Sequence, residues 1–132
     1  MKQMLFSFTG RANRAKFWLI LIATDIVGMI LFAILGFVGG GSMMPDASGN
    51  MSMGGGPMGF VTALLALIVL IAMVWIGLAV AVKRYHDRNK SGWWVLICLV
   101  PVIGGLWYLI ECGFLKGTTG ANPYGADPLA AA

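Results

Sequence analysis

Hydrophobic residues are gathered in three long segments of this chain, and most charged residues lie between or beside them. The segments cover residues 17–38, 60–82 and 93–115. A helix needs roughly 20 apolar residues to cross the hydrocarbon core of a bilayer, and each segment reaches that length. The pattern therefore predicts an all-α membrane protein with three transmembrane helices.

The third hydrophobic segment is interrupted near its middle by Pro101 and by the pair Gly104 and Gly105. Proline removes one backbone hydrogen bond and kinks a helix, so we favour a spanning helix over residues 93–115 that is kinked at Pro101. The alternative is a re-entrant hairpin with arms of about ten residues, which is tolerated where protein or a water-filled cavity covers it. A full span would place the C-terminal tail on the outer side.

The segments between the hydrophobic stretches differ in composition. Residues 1–16 combine aromatic and basic side chains, and they predict a short amphipathic segment along the membrane interface. Residues 39–59 form a loop rich in Gly and Met, whereas residues 83–92 form a strongly basic loop. Residues 116–132 are a tail of turn-forming residues without hydrophobic periodicity. We treat residues 1–132 as a single polytopic membrane domain.

The composition excludes an ordinary soluble domain. Hydrophobic residues make up 59% of the chain and charged residues only 11%, whereas soluble domains carry about 25% charged residues. The net charge is +4. The basic residues lie mostly at the edges of hydrophobic segments, which is typical of contact with anionic lipid headgroups rather than with nucleic acid. We therefore expect membrane lipids as partners and no nucleic acid.

The distribution of Lys and Arg predicts the orientation in the membrane. Residues 1–16 contain four of these basic residues, residues 39–59 contain none and residues 83–92 contain four. Short loops rich in Lys and Arg stay on the cytoplasmic side of a membrane. The N-terminus and the basic loop are therefore expected in the cytoplasm, and the Met-rich loop is expected outside.

The basic loop pairs an acid–base group with a carboxylate, because His86 adjoins Asp87 close to Arg84. Histidine titrates near neutral pH, so this pair suits a proton or ligand site. One His and one Asp make a poor metal site, however, and no nucleophile–base set accompanies them. We favour a structural role in which Asp87 caps the turn or pairs with Arg11 or Arg14. No enzymatic activity and no cofactor are expected.

Asp25 is an acidic residue within the first predicted span. Carboxylates inside a membrane are costly and are candidates for function, such as carriage of protons or cations. The structural alternative is that Asp25 pairs with Lys83 or Arg84, whose long side chains can reach along the membrane boundary. We favour this pairing.

Three methionines of the Met-rich region, Met51, Met53 and Met58, are candidate ligands for a soft metal. Their thioether sulfur atoms suit Cu(I). A flexible Gly-rich linker accommodates Met without any such function, and we expect no metal site.

Three motifs of basic, aromatic and turn-forming residues follow one another along the chain. They are GRANRAKFW at residues 10–18, KRYHDRNKSGWW at residues 83–94 and GTTGANPYGADP at residues 117–128. In this order they resemble the bacterial inner-membrane family classed as domain of unknown function 805, over nearly the whole chain. The resemblance implies an inner-membrane protein and supplies no established activity or cofactor. The Met and Gly richness of the outer loop departs from the family pattern.

These observations predict a multi-pass inner-membrane protein with a cytoplasmic N-terminus. We expect a non-enzymatic structural, assembly or regulatory component with a basic, lipid-facing cytoplasmic surface. The alternative is an oligomeric small transporter or channel component, with soft-metal binding by the Met-rich loop. Expected partners are anionic lipids and either further copies of the chain or another membrane protein. The candidate cluster comprises Arg11, Arg14, Asp25, Arg84, His86, Asp87, Trp93, Asn122, Tyr124 and Asp127.

Overall fold

The computed structural model describes three stretches of the chain. They are residues 5–39, 48–49 and 57–130, with the backbone alone described at residues 57 and 58. Within these stretches the structure is helical and contains no strand. Most of the predicted outer loop lies outside the described residues.

Two long helices carry the first two hydrophobic segments. Helix α1 spans Arg14–Val38 and helix α2 spans Pro57–Asp87. Both are long and apolar enough to cross a membrane, as predicted from the sequence. Proline suits the first position of α2, because its missing N–H group would have no intrahelical acceptor there. Helix α2 also runs five residues beyond the predicted span, so half of the predicted basic loop is helical.

Helix α2 ends in a turn of the Schellman type. Asn89 adopts a left-handed φ of 58°, which Asn tolerates better than most residues. The Lys90 N–H group donates to Tyr85 O at 2.9 Å, and the Asn89 N–H group donates to His86 O at 3.0 Å. These two bonds satisfy carbonyls that the helix end leaves open. The turn sets the place at which the third hydrophobic segment begins.

The third hydrophobic segment differs from the single kinked helix that we favoured. A 3-10 helix spans Gly92–Leu99, whereas helix α3 spans Ile103–Tyr108 and continues as a π-helix over Leu109–Phe114. Pro101 between them has no N–H group to donate, and Val102 adopts a left-handed φ of 64°. The helical hydrogen-bond pattern is therefore interrupted between the two segments, and the single kinked helix is not confirmed.

The two arms of this segment are in backbone contact. A Cβ atom on Gly104, in the second arm, would overlap the carbonyl oxygen of Ile97 in the first arm. Only glycine permits so close an approach between two backbones. The chain therefore turns back on itself, and we call residues 92–115 the apolar hairpin.

Both ends of the apolar hairpin lie beside the same end of α2. At its start, a Cβ atom on Gly92 would lie 2.8 Å from Val82 Cγ1. At its end, Arg84 Nε donates to Cys112 O at 2.7 Å. A helix that ran straight through would separate its two ends by its full length. The two ends of residues 92–115 therefore lie together, which is the shape of the hairpin that the sequence analysis kept as the alternative.

The chain divides into two compact units. One comprises Thr24–Val74, and the other comprises Met1–Ala23 together with Trp75–Ala132. The second unit contains all three motifs and the apolar hairpin, and we call it the motif unit.

Within the unit Thr24–Val74, α1 and α2 pack through small residues. Gly28 leaves room for the Met73 side chain, and a Cβ atom on Gly39 would lie 2.6 Å from Thr62 Oγ1. Such close approaches are common between membrane helices, because lipid provides little hydrophobic drive for their association. Small side chains therefore bring the two backbones together here.

The motif unit has a small core of apolar and aromatic side chains. The rings of Phe17 and Tyr108 meet edge to face, with their centroids 5.8 Å apart. The Tyr85 hydroxyl is buried without a hydrogen-bond partner among the described residues. Large apolar side chains elsewhere, such as Leu19 and Val102, face outward. This arrangement suits a lipid environment, in which acyl chains are as apolar as leucine. The buried core residues are Phe17, Ile20, Val80, Tyr85 and Cys112.

Candidate functional site: the motif cluster

The N-terminal motif is attached to the end of α2 by backbone and side chain. The Ala12 N–H group donates to Lys83 O at 3.2 Å. The adjacent Arg11 side chain is almost fully buried, and its Nε donates to Asp87 Oδ1 at 3.0 Å. The expected pairing of Asp87 with an N-terminal arginine is therefore present, and that arginine is Arg11 rather than Arg14.

Arg84 joins the central motif to two other segments. Its side chain is fully buried, and its Nη1 forms an ion pair with Asp87 and also donates to Ala12 O at 3.3 Å. Nε donates to Cys112 O at 2.7 Å, and Nη2 donates to Leu115 O. All three nitrogen atoms of this guanidinium are thus used within the chain.

Asp87 is shared by two buried arginines, Arg11 and Arg84. Moving a charged group out of water costs several kcal/mol unless counter-charges and hydrogen bonds compensate it. A single carboxylate can neutralise only one of the two cations. The other cation must therefore be stabilised by dipoles, and backbone carbonyls supply them.

Five consecutive backbone carbonyls at the end of the apolar hairpin accept hydrogen bonds from side chains. The last carbonyls of a helix have no intrahelical donor and carry the negative end of the helix dipole. Side chains from the N-terminal and central motifs cap this end, and we call residues 112–116 the capped carbonyl run. Its donors are Arg84 to Cys112 and Leu115, Trp18 to Gly113, Arg14 to Phe114, and Arg88 to Lys116.

The C-terminal motif wraps around the same end of α2. The Thr118 N–H and Oγ1 groups both donate to Asp87 O, at 2.8 and 2.9 Å respectively. Arg11 donates in turn to Thr118 O and to Gly120 O, each at 2.6 Å. Position 117 requires glycine, because a Cβ atom on Gly117 would overlap the Asp87 carboxylate. All three motifs therefore meet at Asp87, and we call the contacts between them around this residue the motif cluster.

His86 lies between the N-terminal motif and the tail. Its imidazole stacks on the Tyr124 ring, with centroids 4.0 Å apart and an interplanar angle of 4°. Its Nδ1 lies 3.3 Å from Gly10 O, while Asn122 Nδ2 donates to His86 O at 2.8 Å. These contacts place both predicted tail residues, Asn122 and Tyr124, on the central motif.

Asp127 closes the turn of the tail. Its carboxylate accepts hydrogen bonds from the N–H groups of Leu129 and Gly120, each at 2.9 Å. These bonds, with that from Leu129 the stronger influence, lower the pKa of the Asp127 carboxyl below its usual value. A carboxyl with a lowered pKa stabilises the fold while it is ionised, and it loses this effect as the pH falls through that pKa.

A second buried carboxylate, Glu111, lies on the π-helix and is absent from the predicted cluster. It forms ion pairs with Lys90 and with Arg88 Nε, the latter at 3.2 Å, and Trp107 Nε1 donates to it at 2.5 Å. The Lys90 ammonium also lies 4.5 Å from the centroid of the Trp94 ring, a cation–π contact. The sequence indicates this site only by placing an acidic residue near the end of an apolar segment in a chain with an excess of basic residues.

Two residues of the predicted cluster lie apart from it. Trp93 is on the 3-10 helix with 77% of its surface exposed, and Asp25 is an exposed residue of the other compact unit. Arg84, one of the two partners expected for Asp25, pairs with Asp87 instead. The pairing of Asp25 with Lys83 stays a prediction.

The soft-metal hypothesis concerns Met51, Met53 and Met58. The first two lie outside the described residues, and Met58 is described by its backbone alone. Among the residues that the structure describes, no group of three or more His, Cys, Asp or Glu side chains is placed to hold a metal ion.

The basic residues that were expected to face lipid differ in their burial and in their ion pairs. Arg84 is fully buried, whereas Arg88 and Lys90 are held by Glu111. Cations buried or paired in this way are poor candidates for lipid contact. The exposed basic residues in the described part of the chain are Arg14, Lys16 and Lys116.

Comparison with known proteins identifies relatives along most of the chain. The sequence matches the family described as "Protein of unknown function (DUF805)" over residues 5–126. Inner membrane protein YhaI of Escherichia coli (strain K12) is 32% identical over 122 residues, which cover 92% of this chain and 85% of that protein. Inner membrane protein YhaH of the same strain is 32% identical over 121 residues, with coverages of 92% and 86%. Uncharacterized protein YiiR is 30% identical over 151 residues, with coverages of 96% and 88%.

No solved structure matches this chain. The residues that match the family contain the first two motifs whole and most of the third. The same three motifs build the cluster around Asp87. The chain therefore belongs to the DUF805 family of proteins of unknown function, and it is a membrane protein whose named relatives include inner membrane proteins.

Proposed function

We propose that the chain is a non-enzymatic component of the inner membrane with a structural, assembly or regulatory role. In this role the motif cluster holds the apolar hairpin at the cytoplasmic face of the membrane, where it contacts lipid or a membrane partner. The observation that carries the proposal is the burial of Arg84, whose three guanidinium nitrogen atoms all donate to groups of the motif unit. A catalytic or ligand-binding arginine needs donors that are open to a ligand.

The topology that accompanies this proposal has two spans and one hairpin. Helices α1 and α2 cross the membrane, and residues 92–115 enter and leave from the cytoplasmic side. The N-terminus, the basic turn and the tail then share that side, as the Lys and Arg distribution favours. Re-entrant segments need their polar backbone covered. The arms are helical, and side chains from the other two motifs donate hydrogen bonds to the capped carbonyl run at the exit.

Cysteine labelling tests this topology in a chain whose exposed Cys98 is replaced by Ser. We expect a membrane-impermeant maleimide to label Ser48→Cys in intact cells. Asn89→Cys and Ala126→Cys should react only after the membrane is opened. Labelling of Ala126→Cys from outside would show that the third segment spans, whereas labelling of Asn89→Cys from outside would reverse the whole orientation.

The competing role is an oligomeric transporter or channel component. The observation that favours it is Asp25, a carboxylate that is exposed on an apolar helix. A soft-metal function of the Met-rich loop belongs to the same alternative.

Reconstitution separates the two roles. We expect purified protein in liposomes to give proton and monovalent cation fluxes no greater than empty liposomes, because the proposed role needs no conduction pathway. Co-purification from native membranes should instead recover bound lipids or a membrane protein in constant ratio. A flux that Asp25→Asn abolishes, without loss of folded protein, would replace the proposed role by the transporter role.

A further inference from the structure

The motif unit contains more cations than its carboxylates can neutralise. Its described residues include eight Lys and Arg side chains against three Asp and Glu side chains. Asp87 and Glu111 each hold two cations, and Asp127 is occupied by backbone N–H groups. The exposed cations without an ion pair in the described part of the chain are Arg14, Lys16 and Lys116.

Two of these three cations, Arg14 and Lys116, lie at the exit of the apolar hairpin. Arg14 Nη1 donates to Phe114 O at 3.1 Å, two residues before Lys116. The Lys116 carbonyl is itself held by Arg88 Nη1 at 2.7 Å, which fixes the local backbone. Lys16 is two residues beyond Arg14 on α1, and a separation of two residues turns the side chain to roughly the opposite side of a helix. Arg14 and Lys116 are therefore both at this exit, whereas Lys16 is on a different face of α1.

The apolar side chains next to Arg14 and Lys116 indicate the level of these two cations relative to a bilayer. Phe114 and Leu115 are exposed apolar residues immediately before Lys116, and Leu19 is an exposed apolar residue a little over one turn beyond Arg14. The change from apolar to cationic surface therefore falls at the same level on both elements. Such a boundary lies at the headgroup level of a bilayer, where lipid phosphates are found.

We propose that Arg14 and Lys116 bind the phosphate of an anionic lipid headgroup at the exit of the apolar hairpin. The proposal rests on the membrane placement described under the proposed function. Arg14 uses only Nη1 within the described residues, so Nε and Nη2 can form the paired bonds that guanidinium makes with phosphate. Lys116, two residues after the carbonyl that Arg14 holds, adds a compact charge at the same exit. A phosphate oxygen there supplies the counter-charge that the motif unit lacks.

Titration of phosphatidylglycerol into purified protein in a neutral detergent, followed by native mass spectrometry, measures this site. Each cation near an anionic headgroup contributes about fivefold to affinity, so Arg14→Gln with Lys116→Gln should weaken binding about 30-fold. Lys16→Gln removes a matched charge and should weaken binding less than twofold. Arg14→Lys with Lys116→Arg keeps both charges but loses the paired bonds of Arg14, so its affinity should lie between those of the wild type and the double Gln variant.

Each other outcome overturns the site. If Lys16→Gln weakens binding as much as the double Gln variant does, the lipid is attracted to the basic surface as a whole and not to this site. If inorganic phosphate binds as tightly as phosphatidylglycerol and displaces it, the site binds free phosphate instead of a lipid headgroup. Binding of phosphatidylcholine as tight as that of phosphatidylglycerol removes the anion site, yet it leaves the proposed membrane role standing if the protein still fractionates with membranes. An unchanged melting temperature for the double variant confirms that a loss reports binding rather than unfolding.

Discussion

Arg84→Gln is expected to lower the free energy of unfolding by about 3–5 kcal/mol, because the change breaks a buried ion pair. It leaves the carbonyls of Cys112 and Leu115 without their donor, and it removes one of the two cations on Asp87. The shorter amide of Gln cannot reach all three groups. The measurement is an unfolding curve of the purified protein in mixed micelles with increasing sodium dodecyl sulfate.

Arg88→Gln is the matched control for this prediction. It makes the same substitution one turn later on the same stretch of chain, but the Arg88 side chain is 22% exposed and shares Glu111 with Lys90. Because Glu111 keeps a second cation, the expected loss is about 1 kcal/mol or less. Equal losses for the two variants would mean that burial of Arg84 does not hold the motif cluster together.

Gly104→Ala is expected to cost about 3 kcal/mol, since the added methyl group must displace the carbonyl of Ile97 in the facing arm. Backbone cannot move aside as a flexible side chain can, so the two arms must separate. Gly105→Ala is the control, because a Cβ atom on Gly105 would meet nothing within 4 Å. Alanine favours helix over glycine, so this variant should be neutral or slightly more stable.

The same unfolding curves in mixed micelles compare these two glycine variants. Labelling of Ala126→Cys in each background adds a structural measurement, because a hairpin that opens should change the access of the tail. Equal free energies of unfolding for Gly104→Ala and Gly105→Ala would contradict the backbone contact between the arms.

The two long helices could be predicted from the sequence because length and composition decide them locally. A stretch such as residues 60–82 contains no charged residue, and in an apolar environment its backbone hydrogen bonds can be made only within a helix. The proximity of an N-terminal arginine to Asp87 could be predicted too, since both adjoin the same predicted membrane interface. These predictions needed no knowledge of distant contacts.

The apolar hairpin could not be chosen over a kinked span on local grounds. Pro101 with Gly104 and Gly105 is compatible with a kink and with a reversal. The difference lies in contacts across long sequence separations, such as Arg84 with Cys112. Glu111 was missed for the same reason, because its partners Arg88 and Lys90 lie in another element.

The capped carbonyl run has a consequence for the biogenesis of the protein. Its donors come from residues 14–18 and 84–88, whereas its acceptors are synthesised after both. In the proposed topology, Arg14 and Arg84 act during insertion as topogenic charges that keep their ends of α1 and α2 in the cytoplasm, before these acceptors are present. Once the hairpin exit emerges, the same two side chains become its anchors. In that topology, orientation and final assembly depend on the same residues.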